Sequence, residues 1–219
     1  MAKCPWVYKA WIDGYSLYII QSLESRFPLT PTSMPGTRWE NTQIQPRDLP
    51  RDFLQRVITH GVYAQVSQPS TRKVQGDEVN HWRLFFAISE KESISLDMVK
   101  HGADNPKGNL GVLGRNYPVS NTGVLSIPMI QAPGLTVTTV LDIIQSNGLL
   151  RYQYTPAGEG CRYWIKRVVD LLKFHRLLFD ADSRFPQFDE CIDFLWRPGP
   201  YLGARPVAIQ KEIEQGSIY

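Results

Sequence analysis

The sequence predicts an α+β fold in which an antiparallel sheet packs against an amphipathic helix that opens with a cysteine, Cys161. Three features predict it. Between residues 62 and 129, runs rich in β-branched and aromatic residues alternate with polar turn-formers, the pattern of strands and hairpins. From Val137 onward, apolar residues recur at i, i+3, i+4 and i+7, the spacing of a helix face. Finally, the glycine turn Gly158-Glu159-Gly160 leads directly into a second such helix at Cys161.

Taken in order, residues 1–50 read as a partly irregular N-terminal extension, since Pro28, Pro31, Pro35, Pro46 and Pro50 exclude long helices after Phe27. Residues 51–219 form the domain. A short helix is expected over 50–59, with Phe53, Leu54, Val57 and Ile58 on one face. Val62–Val66 is a strand, and the polar segment 68–78 a loop. Trp82–Ile88 and Ser93–Val99 are strands joined by the hairpin Ser89-Glu90-Lys91-Glu92. Residues 101–114, rich in Gly, Asn and Asp, read as a loop. Strands at 115–119 and 124–129 flank a second hairpin, Ser120-Asn121-Thr122-Gly123, and complete a meander. The helix carrying Val137, Val140, Leu141 and Ile144 closes at Asn147-Gly148. A short extended piece, 151–155, precedes the Cys161 helix. That helix is expected to reach about Phe179, with Trp164, Ile165, Val168, Leu171 and Leu172 inside. A third helix is expected over 188–196, stopped by Arg197-Pro198-Gly199-Pro200.

Composition bounds the function. The 219 residues are 42% hydrophobic and 21% charged, which excludes wholesale disorder and fibrous arrays. A net charge of +3 is too mild to argue for nucleic acid. Three cysteines make no even disulfide framework and fit a reducing compartment. No apolar run approaches the ~20 residues that span a bilayer. The stretch 11–23 is interrupted by Asp13 and Gly14, so neither a leader nor a membrane span is expected, and the expected location is the cytoplasm.

Two places carry chemistry, Asn80-His81-Trp82 at the start of a strand and Gly160-Cys161-Arg162-Tyr163-Trp164 at the start of a helix. A cysteine in the first turn of a helix lies among unpaired N–H groups at the positive end of the dipole, which favours the thiolate. The same N–H groups can hold an oxyanion. A histidine on a neighbouring strand can take the thiol proton. Each residue alone has a plainer reading: Cys161 as a small buried side chain, His81 as a packed one. Strand parity puts His81, Arg83, Phe85 and Ala87 on one face and Ser93, Ser95, Asp97 and Val99 on one face of the next strand. Asp97 and His101 are therefore both open as the third member that orients His81. Arg162 belongs to a basic helix with Lys166, Arg167, Lys173 and Arg176, and could meet an acidic or carboxylate substrate. No His or Cys spacing suggests a metal, and no cofactor is expected. The glycines of 108–114 do not make a dinucleotide fingerprint. Cys4 and Cys191 lack the glycine-turn context and are expected to be inert. The carboxylates from Asp180 to Asp193 are expected at the surface.

The order of these motifs resembles circularly permuted papain-like proteins of the NlpC type, including lecithin:retinol acyltransferase-like proteins and desumoylating-type isopeptidases. In these the histidine strand precedes the cysteine helix, and His81-Trp82 and Cys161 hold the matching places. The chain also resembles a family of uncharacterised fungal proteins through Asn80-His81-Trp82, Asp97-Met98 and Gly160-Cys161-Arg162-Tyr163-Trp164, over about residues 60–180. It departs from the acyltransferase-like proteins in having Gly160 before the cysteine, where they have Asn, and Ser95 and Asp97 where they have a second histidine. The resemblance implies a permuted papain-like fold and a thiol-dependent hydrolase or acyltransferase acting on an amide, ester or thioester, with a place in fungal small-molecule biosynthesis. Cys161, His81 and Asp97 would be catalytic, and Trp82, Gly160, Arg162 and Tyr163 would contact a small-molecule or acyl substrate. A non-covalent acid–base cyclase or isomerase using the same pocket and a non-catalytic binding module are the alternative expectations.

Overall fold

The computed structural model describes residues 6–12, 15–21, 52–71, 78–100, 105–156, 159–201 and 204–219. Most of the N-terminal extension, together with Cys4, His101 and Gly158, lies outside them. Within that extension, β1 (Trp6–Ile12) and β2 (Tyr15–Gln21) pair as an antiparallel hairpin.

The centre of the domain is an eight-stranded antiparallel sheet among the described residues. It contains β3 (Val62–Ser67), β6 (Trp82–Ala87), β7 (Ser93–Lys100) and β8 (Lys107–Arg115), which follow one another as a meander. A small pair, β4 (Ser70–Thr71) and β5 (Glu78–Val79), extends the β3–β6 turn. Strand β9 (Gly123–Gln131) returns to the other side of β3. The short strands β10 (Arg151–Gln153), β11 (Leu178–Asp180) and β14 (Ser217–Ile218) complete the sheet in the order β11-β9-β3-β6-β7-β8-β10-β14. Two longer helices, α1 (Val137–Ser146) and α2 (Cys161–Phe174), cover one face. A single turn, α3 (Phe188–Cys191), precedes the hairpin β12 (Phe194–Arg197) and β13 (Val207–Gln210).

Alternation along the strands builds the core. Trp82, Leu84, Phe86, Ile94, Leu96, Met98, Leu110 and Val112 point to the helix side and are buried. They meet Val140, Leu141 and Ile144 of α1 and Trp164, Ile165, Val168, Val169 and Leu172 of α2. Thr136 caps α1 by accepting a hydrogen bond from Thr139 N–H at 3.2 Å. The opposite face carries a smaller cluster, Tyr63, Phe85 and Ala87, covered by Tyr117 and Val119.

Several local expectations are corrected by tertiary pairing. The helix expected over 50–59 is only a 3-10 turn, Phe53–Gln55. The chain is drawn out beyond it because Ile58 N–H donates to Leu135 O at 2.8 Å and Val57 bridges Thr136. The loop expected at 101–114 contains strand β8. Leu110 and Val112 alternate inward there, and the glycines sit at close approaches. A Cβ on Gly108 would lie 2.7 Å from the Tyr154 ring, and one on Gly111 3.0 Å from Val99. The hairpin expected around Ser120–Gly123 does not form, since β8 and β9 lie on opposite sides of β3, β6 and β7. Residues 116–122 instead cross the second face, where Tyr117 O accepts from Ser93 Oγ at 2.7 Å and Ser120 O from Gln65 Nε2 at 2.6 Å.

Helix α2 stops at Phe174, five residues before the expected end. Arg176 adopts φ 57°, Leu177 N–H donates to Leu172 O at 2.8 Å and Arg176 N–H to Lys173 O at 2.9 Å, a Schellman closure with arginine in the left-handed position. Leu171 is consequently only half-buried, and Val169 is a core residue instead. The helix expected over 188–196 ends at Cys191, because Phe194–Arg197 pairs with β13. No helix of the described residues is long and apolar enough to cross a membrane.

The early end of α2 gives a direct contrast. Phe174 is 81% exposed and Trp164 is fully buried. Phe174→Ala is expected to change unfolding free energy by no more than about 0.5 kcal/mol. Trp164→Ala is expected to cost about 3–5 kcal/mol in urea denaturation.

Candidate functional site

The site lies where the start of β6 meets the N-terminus of α2. Asn80 fixes the strand end. Its Nδ2 donates to Ser67 O at 2.9 Å and to Trp196 O at 2.8 Å, and its Oδ1 accepts from Trp196 N–H at 2.6 Å. His81 N–H donates to Ser67 Oγ at 3.0 Å, and Ser67 N–H donates to His81 O at 2.8 Å. The backbone that carries the imidazole is therefore tied to both β3 and β12.

Register then brings the neighbouring carboxylate into reach. Phe85 stands opposite Ser95, so the His81–Arg83–Phe85 face of β6 and the Ser95–Asp97 face of β7 are the same face. Asp97, 8% exposed at its side chain, is gripped from two sides: His81 Nε2 lies 2.6 Å from Oδ1, and Arg83 Nε donates to Oδ2 at 3.0 Å. Oδ1 is buried and meets no conventional hydrogen-bond geometry, so the His81 ring is the close polar neighbour that offsets its desolvation.

Cys161 is the first residue of α2. Gly160 caps the helix at φ 134°, a conformation that strains any residue with a Cβ, and a Cβ there would lie 2.6 Å from the Tyr152 hydroxyl. The cap has no side-chain hydrogen bond and the first turn has no acidic residue, so nothing competes for its positive end. The Cys161 sulfur lies near enough to the His81 ring and to Trp82 N–H for both to act on its charge. It also stands 3.7 Å from Asn80 O, which accepts from the neutral thiol.

The electrostatics follow from this contact set. Burial is the largest influence on all three groups and opposes charge on each. For His81 the bonds to Asp97 and Cys161 more than offset it, and its pKa is pushed up to about 10. For Cys161 the hydrogen bond and charge of His81, with Trp82 N–H, hold the thiol below its ordinary range. His81 and Arg83 hold the Asp97 carboxyl below the usual carboxylate range. The contacts among the three groups shift each of them toward its charged form, against the burial that opposes it. Cys191 differs: burial pushes its thiol up to about 11.

His81, Asp97 and Cys161 open onto a cavity of about 400 Å³, whose walls include Arg83, Met98, Val99, Tyr154, Gly160 and Phe194. Of the residues expected to touch a substrate, Gly160 and Arg162 border this cavity, and Trp82 and Tyr163 do not. Trp82 is fully buried on the helix side against Phe188, because strand alternation turns its indole away from His81; only its backbone serves the sulfur. Tyr163 packs beside Tyr152 and the core. The Arg162 guanidinium is occupied by backbone, donating to Ile192 O at 3.3 Å, to Lys211 O at 3.1 Å and to Glu212 O. It fastens the C-terminal segment, from which Lys211 and Glu214 reach the cavity wall. Lys211 Nζ pairs with Glu159 at 2.9 Å. The lysines of α2 are paired too: Lys173 with Asp180 and Asp189, two of the carboxylates expected at the surface, and Lys166 with Asp170 and Asp189.

Sequence reasoning missed Asn80 as the clamp, Arg83 as the second partner of Asp97, and the C-terminal wall. Parity had already put Arg83 on the His81 face; the other contacts span more than 100 residues or depend on the late segment. Among the described residues no group of three or more His, Cys, Asp and Glu side chains is placed to hold a metal.

Residues 62–219 match the family described as Domain of unknown function (DUF7770), and the chain belongs to that family. No curated protein and no solved structure matches it.

The ion pair sets a pH signature. Iodoacetamide alkylation of Cys161 is expected to rise at a pH below 9, the ordinary thiol value, and to hold a plateau until His81 loses its proton near 10. In His81→Ala burial, the Asp97 charge and the Trp82 N–H remain, and the rise moves upward in pH. Peptide mass mapping with Cys191 as internal reference reads both profiles.

Proposed function

We propose that this DUF7770 protein is a thiol-dependent acyl-transfer enzyme on a permuted papain-like plan. In this reading Cys161 is the nucleophile, His81 the acid–base group and Asp97 the residue that orients it. The observation that carries the proposal is the 2.6 Å contact between the His81 ring and the buried Asp97 carboxylate, with the Cys161 sulfur at the start of α2 near enough to the same ring for each to shift the other's charge. What supports the papain-like plan is the chain order, a histidine strand followed by further antiparallel strands and then a helix beginning with the cysteine.

The chemistry follows from the protonation states. The Cys161 thiolate attacks the carbonyl carbon of an amide, ester or thioester. A C–S bond forms, and the carbonyl π pair moves to oxygen. The N–H groups of the uncapped first turn, that of Cys161 included, are suited to stabilise this oxyanion. As the carbonyl re-forms, the bond to the amine, alcohol or thiol breaks. The leaving group takes the proton of the His81 imidazolium through Nδ1, since Nε2 is engaged by Asp97. Water or an amine then gives its proton to His81 and attacks the acyl-enzyme, and cleavage of C–S restores the thiolate. A small-molecule acyl substrate fits a cavity of about 400 Å³.

The test is trapping. Wild-type protein incubated with a panel of p-nitrophenyl esters and N-acetylcysteamine thioesters is expected to gain one acyl mass, mapped to Cys161. Cys161→Ala should show none, and His81→Ala should lose turnover by at least about 10²-fold. Asp97→Asn should be milder than Asp97→Ala, because an amide oxygen still accepts from Nε2–H. Turnover that survives Cys161→Ala but not His81→Ala would replace this reading with non-covalent acid–base chemistry. Indifference to both would leave a binding module.

A further inference from the structure

Resting on the acyl-transfer reading, we propose that the substrate carries a carboxylate that docks on the terminal amino groups of Arg83, beyond the acyl group presented to Cys161. Four cationic side chains other than His81 border the cavity: Arg83, Lys100, Arg162 and Lys211. Arg162 spends its donors on carbonyls of the late chain and has Glu214 as a charged neighbour. Lys211 is paired with Glu159, and Lys100 lies over the Tyr154 ring, 4.9 Å from its centre. Arg83 stands apart. Its bond to Asp97 uses only Nε, and its side chain remains 39% exposed at the cavity wall. Among the described residues Nη1 and Nη2 have no hydrogen-bond partner.

That geometry defines a ligand class. A guanidinium held through Nε presents the edge formed by its two Nη groups, which matches the two oxygens of a carboxylate. Two of the acidic groups on the walls are already paired, Asp97 by His81 and Arg83 and Glu159 by Lys211, and the third, Glu214, is close enough to Arg162 to feel its charge. An anion arriving at Arg83 meets a guanidinium fixed by Asp97 and needs no reordering of it. Arg83 lies two residues along β6 from His81, roughly 6.6 Å of strand. The carboxylate therefore sits several bonds from the carbon that the sulfur attacks. Met98, Val99, Phe194 and Leu195 offer apolar wall for the intervening chain. Arg162, where the sequence suggested a carboxylate contact, yields that role to Arg83.

Two measurements test this. Calorimetric titration of Cys161→Ala, which has no nucleophile at the site, compares N-acetyl-β-alanine with its neutral amide. The acid is expected to bind at least about tenfold more tightly, the scale of one charge-assisted contact, and the preference should vanish in Arg83→Gln and shrink with salt. Equal binding of acid and amide, no binding of the acid, or a preference that survives Arg83→Gln overturns the proposal. In the wild type, N-bromoacetyl-β-alanine and its amide alkylate Cys161 by forming C–S and expelling bromide. The acid-to-amide rate ratio should be about ten or more and fall to about one in Arg83→Gln. If Arg83 only positioned Asp97, the variant would slow both reagents and leave the ratio unchanged, which also contradicts the proposal. Failure of both reagents to label Cys161 would sink the acyl-transfer reading, while the titration would still decide the carboxylate site.

Discussion

A buried carboxylate has to be matched, and in this protein the match is what assembles the site. Asp97 lies on the sheet face opposite the helices, in a strand that is buried over six consecutive residues, where an unpaired charge would be costly. Arg83 answers one oxygen and His81 the other. The positively charged imidazole in turn draws the Cys161 thiol at the head of α2 toward its charged form. Each member of the row makes the charged state of the next one easier. Removing the middle one leaves the Asp97 carboxylate with Arg83 alone and pushes the Cys161 thiol toward its neutral form.

That coupling depends on elements far from the row. Trp164, Ile165 and Val168 press α2 onto the sheet, and Trp164 Nε1 donates to Leu149 O at 2.8 Å, which fixes the helix to the chain leaving α1. Gly160 lets the chain enter the helix with Tyr152 close beneath it, and the Tyr152 hydroxyl in turn accepts from Gly216 N–H at 2.6 Å. The final segment is therefore tied to the same turn that presents the sulfur. Arg162 adds its bonds to the carbonyls of Lys211 and Glu212. Cavity wall and the Cys161 sulfur are thus held by one set of contacts, which links the shape of the cavity to the integrity of the last residues of the fold.

Strands β3, β6, β7 and helix α1 were legible because their own apolar periodicity matches their burial. Strand β8 was not, because its glycines look like loop punctuation until the neighbours that exclude a Cβ are known: Tyr154 over Gly108 and Val99 over Gly111. Residues 188–197 carry a helix-like pattern that loses to pairing with β13 and to the clamp of Asn80, 116 residues away. At the site, the glycine turn before Cys161 and the parity of β6 are local and could be read. The β6–β7 register, which decides between reach and no reach for Asp97, is a tertiary fact. The parity that put Arg83 beside His81 also turned Trp82 toward the core, an implication that a motif read as a unit, Asn-His-Trp, conceals.

The most direct measurement of the account is the protonation of His81 itself. Nitrogen chemical shifts of selectively labelled histidine, assigned by comparison with His81→Gln, report whether each ring nitrogen carries a proton. The expected result is an imidazolium, protonated at both nitrogens through neutral pH and losing its proton only near 10. A ring that titrates near 6.5, with one nitrogen bare at neutral pH, would contradict the ion pair from which the rest of the argument proceeds.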